Sequence, residues 1–152
     1  EEILAKDAFF FEDLVVKLLY KMGYGSHVDQ AKVTKRSGDD GIDGIISSDR
    51  LGLDTIYVQA KRYATDNIVG NNQIRDFMGA LLQKGATKGV FITTSDFSDS
   101  AKRAVRENRH QVIALINGQQ LTSLMIEYNL GVSIEREIHI KRLDSDFFDE
   151  NF

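Results

Sequence analysis

Apolar residues recur at three- and four-residue steps at Phe11, Leu14, Val15, Leu18, Leu19 and Met22, which predicts an amphipathic helix over residues 5–22. Gly23 supplies its stop. Residues 27–33 alternate in part and are expected as a strand, followed by a Ser-Gly-Asp-Asp-Gly loop over residues 37–41. A short strand interrupted by Gly44 is expected over residues 42–46, then a polar turn over 47–54. The β-branched and aromatic run at residues 55–58 begins the next strand, which extends to Tyr63. A helix over residues 71–83 follows, with Ile74, Phe77, Met78, Leu81 and Leu82 inward and Gly85 as its stop. The continuous run Gly-Val-Phe-Ile-Thr-Thr within residues 88–94 has the pattern of a centrally buried parallel strand. A helix over residues 98–108 carries Ser98 as its N-cap. Residues 112–116, Val-Ile-Ala-Leu-Ile, read as a second buried strand, and residues 119–129 as a helix with Leu121, Leu124, Met125 and Tyr128 inward. Residues 132–140 alternate at Val132, Ile134, Ile138 and Ile140, the pattern of an edge strand. Early strands joined by short turns pair antiparallel, and later strands separated by helices pair parallel with right-handed crossovers. The expected fold class is therefore α/β, a mixed sheet with helices on both faces.

Composition narrows the function classes. A chain of 152 residues with 42% hydrophobic and 28% charged residues is one globular domain with a real core. The absence of cysteine excludes disulfides, cysteine-ligated zinc and thiol catalysis, and fits a reducing cytoplasm. His27, His110 and His139 are too scattered to form a histidine-rich metal site. No apolar run approaches the ~20 residues of a membrane span, so no membrane partner is expected. The first residue is Glu1 rather than Met, and a longer parent protein is expected. The four acids of the tail at residues 144–152 equal the whole net charge of −4, so the remainder is neutral. Within it bases cluster at Lys32, Lys35 and Arg36, at Lys61 and Arg62, and at Lys102, Arg103, Arg106 and Arg109. Such local patches either bind phosphates or are simply solvated faces.

The polar residues on the strands carry the candidate chemistry. Residues i and i+2 of a strand share a face, so Gln59 and Lys61 project together and Ala60 projects opposite. If the strand at 42–46 pairs antiparallel with that at 55–61, Asp43 lies beside Gln59. Carboxylate and amide oxygens suit a hard cation such as Mg²⁺. A nearby lysine can hold an attacking water and offset charge growing on a phosphate, which is what phosphodiester hydrolysis needs. Glu12 borders the buried stripe of the first helix, and two readings stand for it: a wheel-edge acid in water or paired with a lysine, and an acid leaning into the metal site. The bland readings make Asp43 a turn residue, and Gln59 and Lys61 a solvent-facing strand end. Ser95 is either a loop residue ending its strand or a phosphate contact at a helix N-terminus.

Five ordered blocks go further: G-D-D-G-I-D-G-I-I, V-Q-A-K-R-Y, Q-I-R-D-F-M-G-A-L, K-G-V-F-I-T-T-S-D-F-S and L-I-N-G-Q-Q-L-T-S-L-M. Together, over about residues 9–132, they resemble the catalytic domain of the Mrr family of restriction endonucleases, within the PD-(D/E)xK nuclease superfamily. The resemblance implies a restriction-endonuclease-like core, here residues 1–143 followed by the acidic tail. It implies a DNA endonuclease dependent on Mg²⁺, with Mn²⁺ as a substitute, acting on double-stranded DNA in the cytoplasm. By the same resemblance Asp43 is a metal ligand, Gln59 takes the place of the second motif acid, and Lys61 is the motif lysine. Glu12 matches the acid of the family's first helix, Gln73 a supporting helix glutamine, the Ala60 carbonyl a further metal ligand, and Arg62 a DNA contact. A separate DNA-recognition domain elsewhere in the full protein, and a homodimer for cutting both strands, are also implied. Two departures stand out. Neutral Gln59 costs the metal a negative ligand, and Asp40 stands where the family's loop usually has glycine. A repair or junction nuclease on the same core, or a degenerate DNA-binding or assembly module, are the alternatives.

Overall fold

A computed structural model describes residues 1–25, 32–33, 41–49, 51 and 53–148, with the side chains of residues 32 and 33 excepted. The element order is α1 (Ala8–Lys21), β1 (Lys32–Val33), β2 (Gly44–Ser47), β3 (Thr55–Lys61), α2 (Asn71–Gln83), β4 (Lys88–Thr93), α3 (Asp99–Glu107), β5 (Val112–Ile116) and α4 (Gly118–Glu127), then a short 3-10 turn at Asp146–Phe148. The strands form one five-stranded sheet in sequence order. β1, β2 and β3 run antiparallel, and β3, β4 and β5 run parallel. This is the mixed α/β sheet that short early turns and later helical crossovers dictate.

The core lies in two halves, one on each side of the sheet. Phe11, Leu14, Val15, Leu18 and Leu19 of α1 and Leu121 of α4 pack on Ile46, Val58, Ala60 and Ile92. Ile74, Phe77, Ala80 and Leu81 of α2 and Ala101 of α3 pack with Phe91 and Ile113 on the other side. Alternation along β3 and β4 explains the division, because neighbouring residues face opposite ways. Helices therefore flank both faces, as the pattern predicts.

Local capping sets the helix starts. α1 begins at Ala8 rather than residue 5, because the Asp7 carboxylate accepts the Phe10 N–H at 2.7 Å. Ser98 caps α3 by accepting the Ala101 N–H, as expected. Asn117 caps α4 in a reciprocal pair with Gln120.

Two expectations are corrected. β5 is an edge strand, with Val112 74% exposed and only Ile113 buried, because it has β4 on one side only among the described residues. Its apolar run satisfies one neighbour rather than two. Residues 132–140 form no strand; Ile134, Ile138 and Ile140 are exposed there. Arg136 breaks the alternation into two short apolar pairs, and Gly131 has φ +73°. Of the expected strand at 27–33 only Lys32–Val33 is described, and the loop at 37–40 with Asp40, the bases Lys35 and Arg36, and tail residues 149–152 lie outside the described residues.

Gly118 fixes where α4 meets the sheet. A Cβ there would run into the Thr94 main-chain carbonyl. Gly118→Ala is expected to destabilise the fold by about 1–3 kcal/mol, read as a lower denaturation midpoint. An unchanged midpoint would contradict that close approach.

Candidate active site

The register of β2 on β3 brings the chemistry together. Gly44 lies opposite Val58 and Ile45 opposite Tyr57. One further step puts Asp43 opposite Gln59, and the Asp43 N–H donates to the Val58 carbonyl at 2.8 Å. Asp43 sits just before β2 begins rather than inside it. Its Oδ2 accepts the Ala60 N–H at 2.7 Å. One carboxylate oxygen is thereby anchored. The N–H and C=O of one strand residue point to the same side, so the Ala60 carbonyl also points toward Asp43.

Glu12 reaches this place from α1. Burial raises its pKa above the ordinary range, the nearby Asp43 charge raises it further, and Lys61 pulls it back. Asp43 is likewise raised, mainly by burial, against the Ala60 N–H and the Lys61 charge. Two acids and one ammonium thus share one electrostatic neighbourhood. Glu12 is partly buried at the border of the packed face of α1.

Gln59 and Lys61 project to the opposite side of β3 from Ala60, as their spacing predicts. With Gly41, Gln73, Asp76 and Phe91 they line a cavity of about 240 Å³ between β3 and α2. Gly41 has φ +76°, and a side chain there would press on the Gln59 amide. Gln59 is 5% exposed, and its amide makes no hydrogen bond to a described residue. Lys61 forms no salt bridge among the described residues.

Gln73 works at one remove. Its Oε1 accepts the Gly70 N–H at 2.6 Å and its Nε2 donates to the Tyr63 hydroxyl at 3.1 Å. It thereby ties the start of α2 to the chain just after Lys61. Arg62 is held within the protein's own framework: its Nη1 donates to the Leu4 carbonyl at 2.9 Å, and its Nε is buried without a partner. It straps the segment before α1 across the end of β3.

Sequence reasoning missed the brace behind Lys61. The Thr93 hydroxyl donates to the Lys61 carbonyl at 2.8 Å, while Thr94 Oγ1 accepts the Tyr63 N–H at 2.8 Å and donates to the Tyr63 carbonyl at 2.6 Å. The Ser95 hydroxyl shares this network with Thr93 and is buried, so it is an internal strut. The signal was present as polar residues closing an apolar strand, but their partners lie about thirty positions earlier.

A divalent cation fits these donors in kind. Asp43, Glu12, the Gln59 amide and the Ala60 carbonyl can all offer oxygens. Among the described residues no three acidic, histidine or cysteine side chains cluster as a metal cage. Such a donor set suits Mg²⁺, which keeps several waters and takes few carboxylates.

This mixed sheet, with an acid, an amide and a lysine meeting at the end of two central strands, defines a restriction-endonuclease-like α/β domain. A family model described as restriction endonuclease, that of the Mrr catalytic domain, matches residues 3–125, and the chain belongs to that family. It is 42% identical over 149 residues to the type IV methyl-directed restriction enzyme EcoKMrr of Escherichia coli strain K12, covering 98% of this chain and 47% of that protein. The chain thus spans about half the length of that curated relative. Its fold is similar to the DNA modification-dependent restriction endonuclease AspBHI, with TM-score 0.64 at 23% identity over 83% of this chain and 32% of that one. It is also similar to MspJI restriction endonuclease, solved in complex with a 27-mer oligonucleotide, with TM-score 0.57 at 26% identity over 80% of this chain and 29% of that one.

Proposed function

We propose that this domain hydrolyses the phosphodiester backbone of double-stranded DNA with a bound divalent cation, Mg²⁺ or Mn²⁺, as the catalytic part of a restriction enzyme directed to modified DNA. The single observation that carries this reading is the meeting of Glu12 from α1, Asp43 from the end of β2 and Lys61 from β3 in one electrostatic neighbourhood. Asp43 and Glu12 would hold the cation, with Gln59 and the Ala60 carbonyl as neutral donors. The cation would supply charge stabilisation at the phosphate. Lys61 orients the attacking water and neutralises charge that grows on the phosphate oxygens. Thr93 and Thr94 fix the backbone from which Lys61 and Tyr63 project, so the ammonium is held in place before substrate arrives. One chain carries one such centre, so a double-strand break calls for two copies. Recognition of the modified base would belong to a further domain of the full protein.

The neutral Gln59 favours a second reading, a module that binds DNA without cutting it. Metal binding separates the two. Calorimetry with Mn²⁺ should show binding to the wild-type protein, and Glu12→Gln should weaken it by about 10–100-fold. Equal affinities would place Glu12 outside the centre. No binding to the wild type would favour the non-enzymatic module.

A further inference from the structure

Arg62 follows Lys61 directly and stands two residues past Ala60, whose side chain packs with α1. Strand period turns Arg62 to that same side, away from the cavity that Lys61 lines. There its Nη1 donates to the Leu4 carbonyl at 2.9 Å, while its Nε is buried with no partner among the described residues. The segment that it holds is not a loose end. The Ala5 N–H donates to the Glu1 carbonyl and the Lys6 N–H to the Ile3 carbonyl, both at 3.2 Å. Ile3 packs against the half of the core that α1 forms with the sheet. Asp7 then starts α1 by accepting the Phe10 N–H at 2.7 Å. The hold on Leu4 is therefore continuous with the first turn of the helix, and Glu12 opens the second turn. No salt bridge to a described residue fixes the Glu12 carboxylate, so its place follows from where the start of α1 sits.

We propose that Arg62 is a positioning residue for the metal centre: by holding the Leu4 carbonyl across the end of β3, it sets where α1 begins over the sheet and so keeps the Glu12 carboxylate beside Asp43. Asp43 needs no such help, because the Ala60 N–H already anchors it to β3 at 2.7 Å. Glu12 comes from another element, and Arg62 ties that element to the same strand. Adjacent residues of β3 and its end thus serve the site from two sides, Lys61 toward the cavity and Arg62 toward the helix. A guanidinium suits the task, since it stays charged and presents its N–H groups in a fixed plane. The inference rests on the metal-dependent reading above.

The test is Mn²⁺ calorimetry on the full protein without DNA, run as a double-mutant cycle between Arg62 and Glu12, with a thermal melt of each variant as a folding control. Arg62→Met keeps an apolar stem and removes the donor. It should weaken Mn²⁺ binding by about 10-fold in the otherwise wild-type protein. In the Glu12→Gln protein the same substitution should change the affinity by less than about 2-fold, because the carboxylate that the strap places is already gone. Where the methionine variant does not fold, Arg62→Gln carries the same cycle, since its amide ends short of the Nη1 position. Equal losses in the two backgrounds overturn the proposal, because a merely structural effect does not pass through Glu12. A wild-type isotherm from Arg62→Met overturns it as well, and is the result that a residue contacting only DNA phosphate would give. If Glu12→Gln weakens binding while Arg62→Met does not, only the role of Arg62 falls. If the wild type binds no Mn²⁺, the metal-dependent reading falls and takes this role with it.

Discussion

Lys61→Ala is expected to reduce DNA cleavage by about 10²–10³-fold while leaving metal affinity near that of the wild type. The ammonium is the only cationic group lining the cavity among the described residues. It forms no salt bridge among them. Its backbone is pinned by Thr93 and Thr94, which keeps the loss local to the side chain. Lys61→Arg should recover little, because a planar guanidinium does not occupy the position of a compact ammonium. Single-turnover cleavage at saturating Mg²⁺ gives the number. A Lys61→Ala protein that cuts at the wild-type rate removes Lys61 from the chemistry.

Asp43→Asn should abolish metal-dependent cleavage and, at neutral pH, raise the melting temperature of the metal-free protein. Burial makes the ionised Asp43 costly, and the Ala60 N–H and Lys61 only partly offset it. Its folded-state pKa therefore lies above the ordinary 3.8, and the folded state holds the proton more tightly than the unfolded chain. The stability that this proton contributes is present in acid and is lost as pH rises from about 3.8 through the higher folded value. Glu12 adds to the same trend, since its pKa is also raised. Asparagine carries no charge, and its Oδ1 can still accept the Ala60 N–H. The variant should thus melt a few degrees higher at pH 7, at about 2–4 °C per kcal/mol for a chain of this size, and the gap should close in acid. Mg²⁺ should raise the melting temperature of the wild type and not of the variant. A variant that melts lower at pH 7, or still gains stability from Mg²⁺, contradicts this role for Asp43.

Much of the frame was legible because it rests on short-range patterns. The stripe from Phe11 to Leu19, the β-branched start of β3 and the Ser98 cap are local signals, and the elements form where they point. Asp43, Gln59 and Lys61 could be placed together because strand period and a short turn fix which residues oppose one another. Glu12 was ambiguous for a physical reason. Its place on the wheel edge permits either water or protein, and only the packing of α1 on β3 decides. The run Val112–Ile116 misled because an edge strand backed by helices is nearly as apolar as a central one. The hydrogen bond from Arg62 to the Leu4 carbonyl was not legible, because the two lie 58 positions apart in the chain.

The most direct measurement is cleavage of a methylated supercoiled plasmid by the protein at its natural length. With Mg²⁺ the plasmid should be nicked or linearised, with a chelator it should stay supercoiled, and the Asp43→Asn protein should leave it intact. Plasmid left intact by the wild-type protein in Mg²⁺, or cut equally well by the Asp43→Asn protein, would contradict a metal-dependent nuclease centre at Asp43, Gln59 and Lys61.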